Sequence, residues 1–453
     1  MPEKVLAGWG NHPRHRCNVH TPARRSDVAR LIQQSVIARG LGRSYGDAAL
    51  HDEVIDCTRL DRYIDFDDST GVLTCEAGVS LEQIIRDFAP RGWFPKITPG
   101  TKFVTVGGCI ANDVHGKAHH VDGCFSQCVI SMQVLLASGE VVTTSREERP
   151  DLFWASMGGM GLLGIILEAR IQLRKIETTF FRQTAVKVRD LDELLDALDR
   201  YDAELPYSVA WIDSLATGRE LGRGVLTVGD HASLDDLEGV RDPLRITPPS
   251  PVVLPFEMPS GALNTLTVRL LNGVLDFVQS HGGAIAHYEK FFYPLDFVGE
   301  WNRGYGAKGF TQYQFVIPLD EGRRRIREIL ERITTSGQAP FLNVLKKLGK
   351  ERGLISFPFE GYTFAIDFPV RDGLAELLRE LDAMVLDAGG RVYLGKDAFL
   401  DADTFRTMYP KLPQWLEAKA KYDPNQMFES VLSRRVGLTD DFPRGGSRLR
   451  ARG

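Results

Sequence analysis

Residues Ile97 to Cys128 read ITPGTKFVTVGGCIANDVHGKAHHVDGCFSQC, and an earlier stretch, Ala38 to Asp47, reads ARGLGRSYGD. Both are crowded with glycine and short side chains. Glycine adopts positive φ and lets the backbone approach a ligand closely, at an entropic cost that a surface loop does not normally bear twice. Successive backbone N–H groups in such turns form concave anion sites suited to a pyrophosphate. Two such loops in one domain predict one extended nucleotide cofactor held from two sides. The first loop follows the short strand pattern SVIA, as a phosphate-binding loop does.

At 453 residues the chain is long for one core and predicts two domains. Hydrophobic residues at 43% and charged residues at 25% are ordinary for a globular protein. The formal net charge of −5 argues against nucleic acid as a partner, because phosphate neutralisation needs a basic face. The N-terminus, MPEKVLAGWGNHPRHR, carries no apolar signal core, and no stretch reaches the length of a membrane span. The expected location is the cytoplasm, or a peripheral position at the inner membrane face. All six cysteines (Cys17, Cys57, Cys75, Cys109, Cys124, Cys128) fall in the first 128 residues with irregular spacing, which predicts buried, reduced thiols.

Along the chain, GVLTCEAG has the period of a strand, and Ser80-Leu-Glu-Gln83 is a capping box opening the helix LEQIIRDFA. VISMQVLLASGEVVTTS reads as a hairpin turning at Ser138-Gly139. Beyond about Glu177 the texture changes. An amphipathic helix follows Asp192, and YSVAWIDS is a strand. Six prolines between Arg241 and Ser260 predict an irregular loop. TLTVRLLNGVLDFVQ and EGRRRIREILERI have helical period. QYQFVIP and YTFAIDFPV read as antiparallel strands, and GLAELLRELDAMVLDAGG as a helix ended by Gly389 and Gly390. Phe405 to Lys421 is helical, with breaks expected at Pro410 and Pro413. The arginine-rich end DFPRGGSRLRARG reads as a disordered tail.

Taken in order, GLGRSYGD, TPGT, VGGCIANDVHGKAHH and GGMGLLG resemble the FAD domain of the vanillyl-alcohol-oxidase (PCMH-type) flavoproteins. Within that superfamily the chain is most similar to the decaprenylphosphoryl-β-D-ribose 2-oxidase family. The likeness continues through WID at Trp211, QYQFVIP at Gln312, FLNVLKKLG at Phe341, IDFPV at Ile366, GGRVYLGKD at Gly389 and FRTMYP at Phe405. It implies an α+β fold: a PCMH-type FAD-binding domain over 1–174, an inserted substrate domain on an antiparallel sheet over 175–390, and a C-terminal segment over 391–453 returning to the first domain. FAD is the implied cofactor. Its implied contacts are Ala38, Arg39, Gly40, Leu41, Gly42, Arg43, Ser44, Tyr45, Gly46 and Asp47 in the first loop. Pro99, Gly100, Thr101, Thr105, Val106, Gly107, Gly108, Asn112, Asp113, Val114, His115 and Gly116 follow in the second, with Gly164, Ile165 and Tyr393 beyond.

The same resemblance implies Lys396, His115 and Lys117 as catalytic candidates, with the general base left open among them. A cation at Lys396 suits negative charge developing at the reactive end of a flavin, although most lysines are snorkelling surface residues. Trp211, Gln312, Gln314, Lys346, Thr363 and Ala365 match substrate-pocket positions. On a strand, Gln312 and Gln314 point to one face, as two contacts to one sugar require. Many relatives in the superfamily carry a histidine where this chain has Tyr45 and bond it to the flavin; tyrosine predicts noncovalent FAD. Ala365 stands where mycobacterial-type enzymes have a pocket cysteine, and Thr363 where they have an asparagine, so the exact substrate is open.

Two motifs are decoys. Gly159-Met-Gly161-Leu-Leu-Gly164 satisfies GxGxxG, but a helix pattern precedes it and a strand pattern follows, the reverse of a dinucleotide-binding turn. His115, His119, His120, Cys124 and Cys128 suggest zinc chemistry. Gly116 and Gly123 disfavour the helix that would present them together, and no metal is expected.

The implied activity is that of an FAD-dependent oxidoreductase acting on a CH–OH carbon. The favoured substrate is decaprenylphosphoryl-β-D-ribose or a related polyprenyl-phosphate pentose, oxidised at C2 to a keto sugar during arabinan-precursor synthesis for a cell wall. A short-chain reductase completing a 2-epimerisation is the implied partner, with contact to a membrane surface. An oxidase of a soluble sugar, aldonolactone or alditol is the alternative. A non-catalytic or metal-binding protein on the same fold is the alternative from another class.

Overall fold

The computed structural model describes residues 3–246, 252–259, 261, 267, 282–338 and 340–439. The helical pattern at 265–279, apart from Thr267, and the basic tail lie outside these residues. The chain opens with an antiparallel pair, Glu3–Ala7 and Arg14–His20. Arg14–His20 and Ile37–Arg39 both run parallel to Glu53–Asp56, closing a four-stranded sheet. Ile37–Arg39 delivers the chain directly into the first glycine loop.

A second, antiparallel sheet centres on Ile165–Lys175, flanked by Val72–Glu76 and Val129–Leu135. The expected hairpin is present as Val129–Leu135 with Val141–Ser145. Helix Leu81–Phe88 begins with the predicted box, the Ser80 hydroxyl accepting from Gln83 N at 3.1 Å and the Gln83 side chain accepting from Ser80 N at 2.8 Å. The GMGLLG turn has helix Pro150–Ser156 before it and strand Ile165–Lys175 after it, as its context predicted.

The third sheet is antiparallel throughout and has eight strands. In spatial order these are Gly282–His287, Phe180–Val188, Gly224–His231, Tyr207–Ile212, Asn343–Leu348, Gly361–Pro369, Phe310–Pro318 and Arg391–Val392. Arg391–Val392 joins this sheet one residue past the boundary expected at 390. In QYQFVIP, Tyr313, Phe315 and Ile317 turn to the face covered by helices Leu191–Asp202, Gly322–Thr335 and Leu374–Asp387, where Leu194, Ile329 and Leu381 join them in one core. Alternation then leaves Gln312 and Gln314 on the other face. Among the described residues of the proline-rich 241–260 stretch, the only regular element is Val252–Val253, paired in parallel with Val298–Gly299.

The C-terminal residues pack back on the first half of the chain. Helix Ala402–Met408 stops before Pro410. Pro413, expected to break the next helix, instead sits in the first turn of Leu412–Tyr422, where its missing N–H has no intrahelical partner to lose. Trp415 Nε1 donates to the Ala155 carbonyl at 2.9 Å, and Phe428 packs in a core with Val36 and Ile55. Lys419 is fully buried; its ammonium donates to Leu162 O at 2.6 Å, Phe428 O at 2.8 Å and Asp423 Oδ2 at 2.5 Å. Asp423 in turn accepts from Met427 N and Phe428 N. Lys419→Met removes one partner of a buried, fully satisfied ion pair and leaves Asp423 uncompensated. A loss of about 3–5 kcal/mol in urea unfolding is expected; an unchanged unfolding midpoint would refute this account of the C-terminal dock.

Candidate active site

A cleft of about 320 Å³ lies between the two glycine loops and the helix-free face of the eight-stranded sheet. Gly40, Gly42, Gly100, Gly107, Gly108 and Gly164 line its loop side. A Cβ on Gly40 would lie 2.3 Å from Thr105 Oγ1, so only glycine lets the two loops touch there, whereas one on Gly100 would meet nothing within 4 Å. Thr105 caps helix Val106–Ala111 by accepting from Gly108 N at 3.1 Å. Backbone therefore forms much of this wall, which fits an elongated ligand with a diphosphate at its middle.

Ties from distant sequence hold the loops in place. Arg435 donates to both Asp47 carboxylate oxygens (2.9 and 2.8 Å), to Asp397 Oδ2 (2.8 Å) and to Leu400 O (2.6 Å). One half-buried guanidinium thus joins the end of the first loop to the turn that carries Lys396. On the second loop, Asp296 Oδ2 accepts from Thr101 Oγ1 and Lys102 N, both at 3.1 Å. Arg43 lies 3.9 Å over the Trp9 ring, its Nε buried without a protein partner among the described residues.

Strand register builds the opposite wall. Gln314 pairs with Ala365, Gln312 with Asp367, Val344 with Ala365, Lys346 with Thr363, and Trp211 with Val344. Directly paired residues share a face, so all six substrate candidates project from one side of the sheet. Gln314 Nε2 donates to Thr363 Oγ1 (3.1 Å) and lies 3.0 Å from His115 Nε2, while Thr363 Oγ1 donates to Phe315 O (2.8 Å). Gln312 Nε2 donates to Asp367 Oδ1 at 2.5 Å. Lys396 Nζ sits 4.0 Å above the Tyr45 ring, and Tyr45 packs edge-on against Phe310.

Burial dominates the electrostatics. It holds the His115 imidazole well below its ordinary pKa, helped by Lys346, His119 and Lys396. It brings the Lys346 ammonium down to about 8. Burial also lowers Lys396, with Asp367 opposing and Lys346 assisting, and it raises the Asp367 carboxyl against its hydrogen bond from Gln312.

Several sequence-predicted residues do not line the cleft. Lys117 donates to Phe291 O and lies over the Phe291 ring, buried enough to bring its pKa down to about 7. Its ammonium is spent on a carbonyl and an aromatic face. Asp113 accepts from Ser126 N (2.9 Å), Ser126 Oγ (3.3 Å) and Ser356 Oγ (2.7 Å), bracing the second loop from behind. Asp47 is the Arg435 partner, and Gly46 is required because its Cβ would lie 1.9 Å from Asp397 O. Gly116 is pressed similarly against Thr98 O, and Val106 and Ile165 are core residues. Thr363 stands behind Gln314. Trp211 shares the sheet face but lies off the cleft, its Nε1 buried and without a partner among the described residues.

The cleft also includes residues that the sequence reading missed. Met160, Gly161 and Gly395 lay inside quoted motifs; Trp9, Leu295, Asp296 and Trp301 carried no pattern to find them by. Cys57 reaches the loop side of the cleft as well, where burial raises its thiol to about 12 and keeps it protonated.

The zinc-like stretch forms one helical turn after all, His119–Asp122, between the two glycines. His119, Cys124 and Glu351 bring ligand-type atoms within 4.8 Å of one another. His119 Nδ1, however, accepts from Gly349 N at 2.9 Å, so Nε2 carries the proton and faces Cys124 Sγ at 3.3 Å. A protonated nitrogen offers no lone pair to a cation.

Residues 19–145 match the family model "FAD binding domain", and residues 364–436 match that of D-arabinono-1,4-lactone oxidase. The chain is 39% identical over 451 residues to decaprenylphosphoryl-β-D-ribose oxidase of Mycolicibacterium smegmatis, covering 96% of this chain and 98% of that one. It is 22% identical over 456 residues to L-gulono-1,4-lactone dehydrogenase of Mycobacterium tuberculosis, covering 94% and 98%. With D-arabinono-1,4-lactone oxidase of Yarrowia lipolytica it shares 27% identity over 179 residues, 37% of this chain and 34% of that one. The chain binds FAD and is an oxidoreductase.

The Asp47–Arg435–Asp397 tie makes a specific demand. Arg435→Met is expected to weaken FAD retention at least about tenfold, equivalent to about 1.4 kcal/mol, with Arg435→Lys intermediate. Flavin occupancy after gel filtration reports it, and unchanged occupancy in a folded Arg435→Met protein would dismiss the tie as a cofactor determinant.

Proposed function

The chain belongs to the decaprenylphosphoryl-β-D-ribose oxidase family, and from that premise we propose that it oxidises a secondary hydroxyl of a sugar, C2 of decaprenylphosphoryl-β-D-ribose or a related polyprenyl-phosphate pentose, to a keto sugar. The observation that carries the reading is a single cleft that joins the glycine loops to Gln312, Gln314, Lys346 and Lys396. FAD, when bound, supplies the hydride acceptor. The chain's own groups must orient the carbon and receive the hydroxyl proton.

His115 is poorly placed for that proton. It stays neutral, and its Nε2 is occupied by the Gln314 amide. Lys117 faces away. Lys396 is the remaining candidate: burial destabilises its ammonium, so the amine is accessible near neutral pH, and the Tyr45 ring holds the head group in place. Once protonated, it offers positive charge where electrons arrive in the transition state. Lys346 has no carboxylate partner among the described residues and suits the anion of a phosphate ester.

The reading extends to architecture and setting. A flavin domain over 1–174 and 391–453 would hold a substrate domain inserted between. Tyr45, packed against Phe310 and Lys396, supports noncovalent FAD, which should leave with the supernatant on acid denaturation. Exposed Phe297, two residues from cleft-lining Leu295, and exposed Val252, whose N donates to Phe297 O, support contact with the lipid in which a polyprenyl substrate resides. Among the described residues no helix is long and apolar enough to cross a membrane. A cytoplasmic place at the inner membrane face, and a reductase that consumes the keto sugar, complete the proposal. A soluble aldonolactone as substrate is the second reading, favoured by the match at 364–436.

Anaerobic flavin bleaching with polyprenyl-phosphate ribose, free pentoses and aldonolactones separates the two readings. Bleaching by the lactones alone would overturn the first. Lys396→Met should keep FAD and lose about a hundredfold in bleaching rate. If Lys396 acts as the base, the wild-type rate rises with pH as its proton leaves, and the variant lacks that rise. A wild-type rate that instead falls with rising pH would assign the ammonium, and not the amine, to the reaction.

A further inference from the structure

The hydrogen bonds behind the sheet wall determine which end of each glutamine faces the cleft. Thr363 Oγ1 has one proton and donates it to Phe315 O at 2.8 Å. Toward Gln314, 3.1 Å away, it can only accept, so the Gln314 group beside it is the amide NH2. The second hydrogen of that NH2 is directed at His115 Nε2, 3.0 Å away, which therefore presents a lone pair. Both donors of Gln314 are spent inside the protein. Gln312 is fixed likewise: its NH2 donates to Asp367 Oδ1 at 2.5 Å, and Asp367 also accepts from Tyr305 OH at 3.4 Å. Among the described residues, the two carbonyl oxygens, Gln312 Oε1 and Gln314 Oε1, accept no hydrogen bond from the protein. Both side chains line the cleft, on the same face of one strand and two residues apart, a spacing of about 6.8 Å along the backbone.

We propose that Thr363 and Asp367 are positioning residues that present Gln314 and Gln312 to the cleft as a pair of hydrogen-bond acceptors, so that the site selects ligands bringing two hydroxyl donors to this strand. The inference rests on the sugar-oxidase reading and sharpens its substrate class. A polyol such as a pentose with free hydroxyls meets the pair, whereas a group that can only accept, such as a lactone carbonyl or a ring ether, opposes it. His115 in this arrangement is a neutral anchor for Gln314. The groups around it are Lys346 from the neighbouring strand, His119 from its helical turn, and Lys396 and Tyr393 from the segment after the sheet. Lys346, His119 and Lys396 act against its protonation. Because the Thr363 hydroxyl has a single proton and commits it to Phe315 O, the orientation of Gln314 is unambiguous.

The test compares a short-chain prenylphosphoryl-β-D-ribose with its 3-deoxy counterpart in anaerobic flavin reduction. Sites built to bind a hydroxyl reject the analogue lacking it strongly, and the wild type should favour the hydroxyl by about a hundredfold in the second-order rate constant of reduction. Thr363→Val and Gln314→Met should each retain FAD and shrink that preference to below about tenfold, mainly through KM, while Thr363→Ser keeps it. Wild-type reduction by both sugars at similar rates would overturn the acceptor pair while leaving the oxidase reading intact. No reduction by either sugar would overturn the oxidase reading itself, and with it this inference. A flavin-loaded Thr363→Val protein with undiminished preference would remove Thr363 from the device, and Gln314→Met with the same result would remove the device.

Discussion

The register between Phe310–Pro318 and Gly361–Pro369 is the constraint on which the site depends. Gln312 and Gln314 face the cleft only while Tyr313, Phe315 and Ile317 face the helices. A slip of one residue would put two amides into an apolar core and three large hydrophobic side chains into the cleft. Such a slip costs buried polar groups their partners as well as burying the wrong surface. The helices that cover one face of the sheet thereby fix the chemistry of the other. Lys346, Thr363 and Ala365 inherit their positions from the same ladder.

That wall has to be held against loops far away in sequence, with Gln314 and His115 standing 199 residues apart. Three polar ties do this, each using a group that water would otherwise solvate. Arg435 spans Asp47 and Asp397, Asp296 grips Thr101 and Lys102, and Gln314 bonds His115. Each tie joins a cofactor-side loop to an element from the later half of the chain. Buried polar networks of this kind are costly when incomplete and specific when complete. These ties, with the packing of Tyr45 against Phe310, keep loop and sheet in fixed relation.

Much of this was legible in the sequence because glycine and alternation are local signals. The loops at 38–47 and 97–116, the QYQFVIP pattern and the decoy character of GMGLLG all follow from neighbours within ten residues. Residues whose role is set by distant partners were not legible. Asp113 and Asp47 sit inside cofactor motifs, yet their carboxylates turn away from the cleft to serines and to Arg435. Lys117, two residues from His115, is captured by Phe291. Trp9 and Trp301 come from segments with no periodicity, so nothing short of the folded chain brings them to the site. Pro413 misled for a different reason: proline breaks a helix interior but suits its first turn.

The charges in the cleft follow from the same geometry. Moving a proton to the Lys396 amine creates a buried cation, which in isolation is unfavourable. Asp367 lies on the same wall and favours that cation, and its own charge is sustained by Gln312 and Tyr305. Proton uptake therefore ends in a compensated site. Lys346 opposes it, and a ligand anion beside Lys346 would relieve that opposition. On the proposed chemistry, a phosphate ester bound beside Lys346 would thereby favour uptake of the hydroxyl proton at Lys396. Ala365, paired to both Gln314 and Val344, places the smallest side chain on the wall between the acceptor strand and that lysine's strand. On the proposed reading, a sugar ring reaching both would settle deepest there.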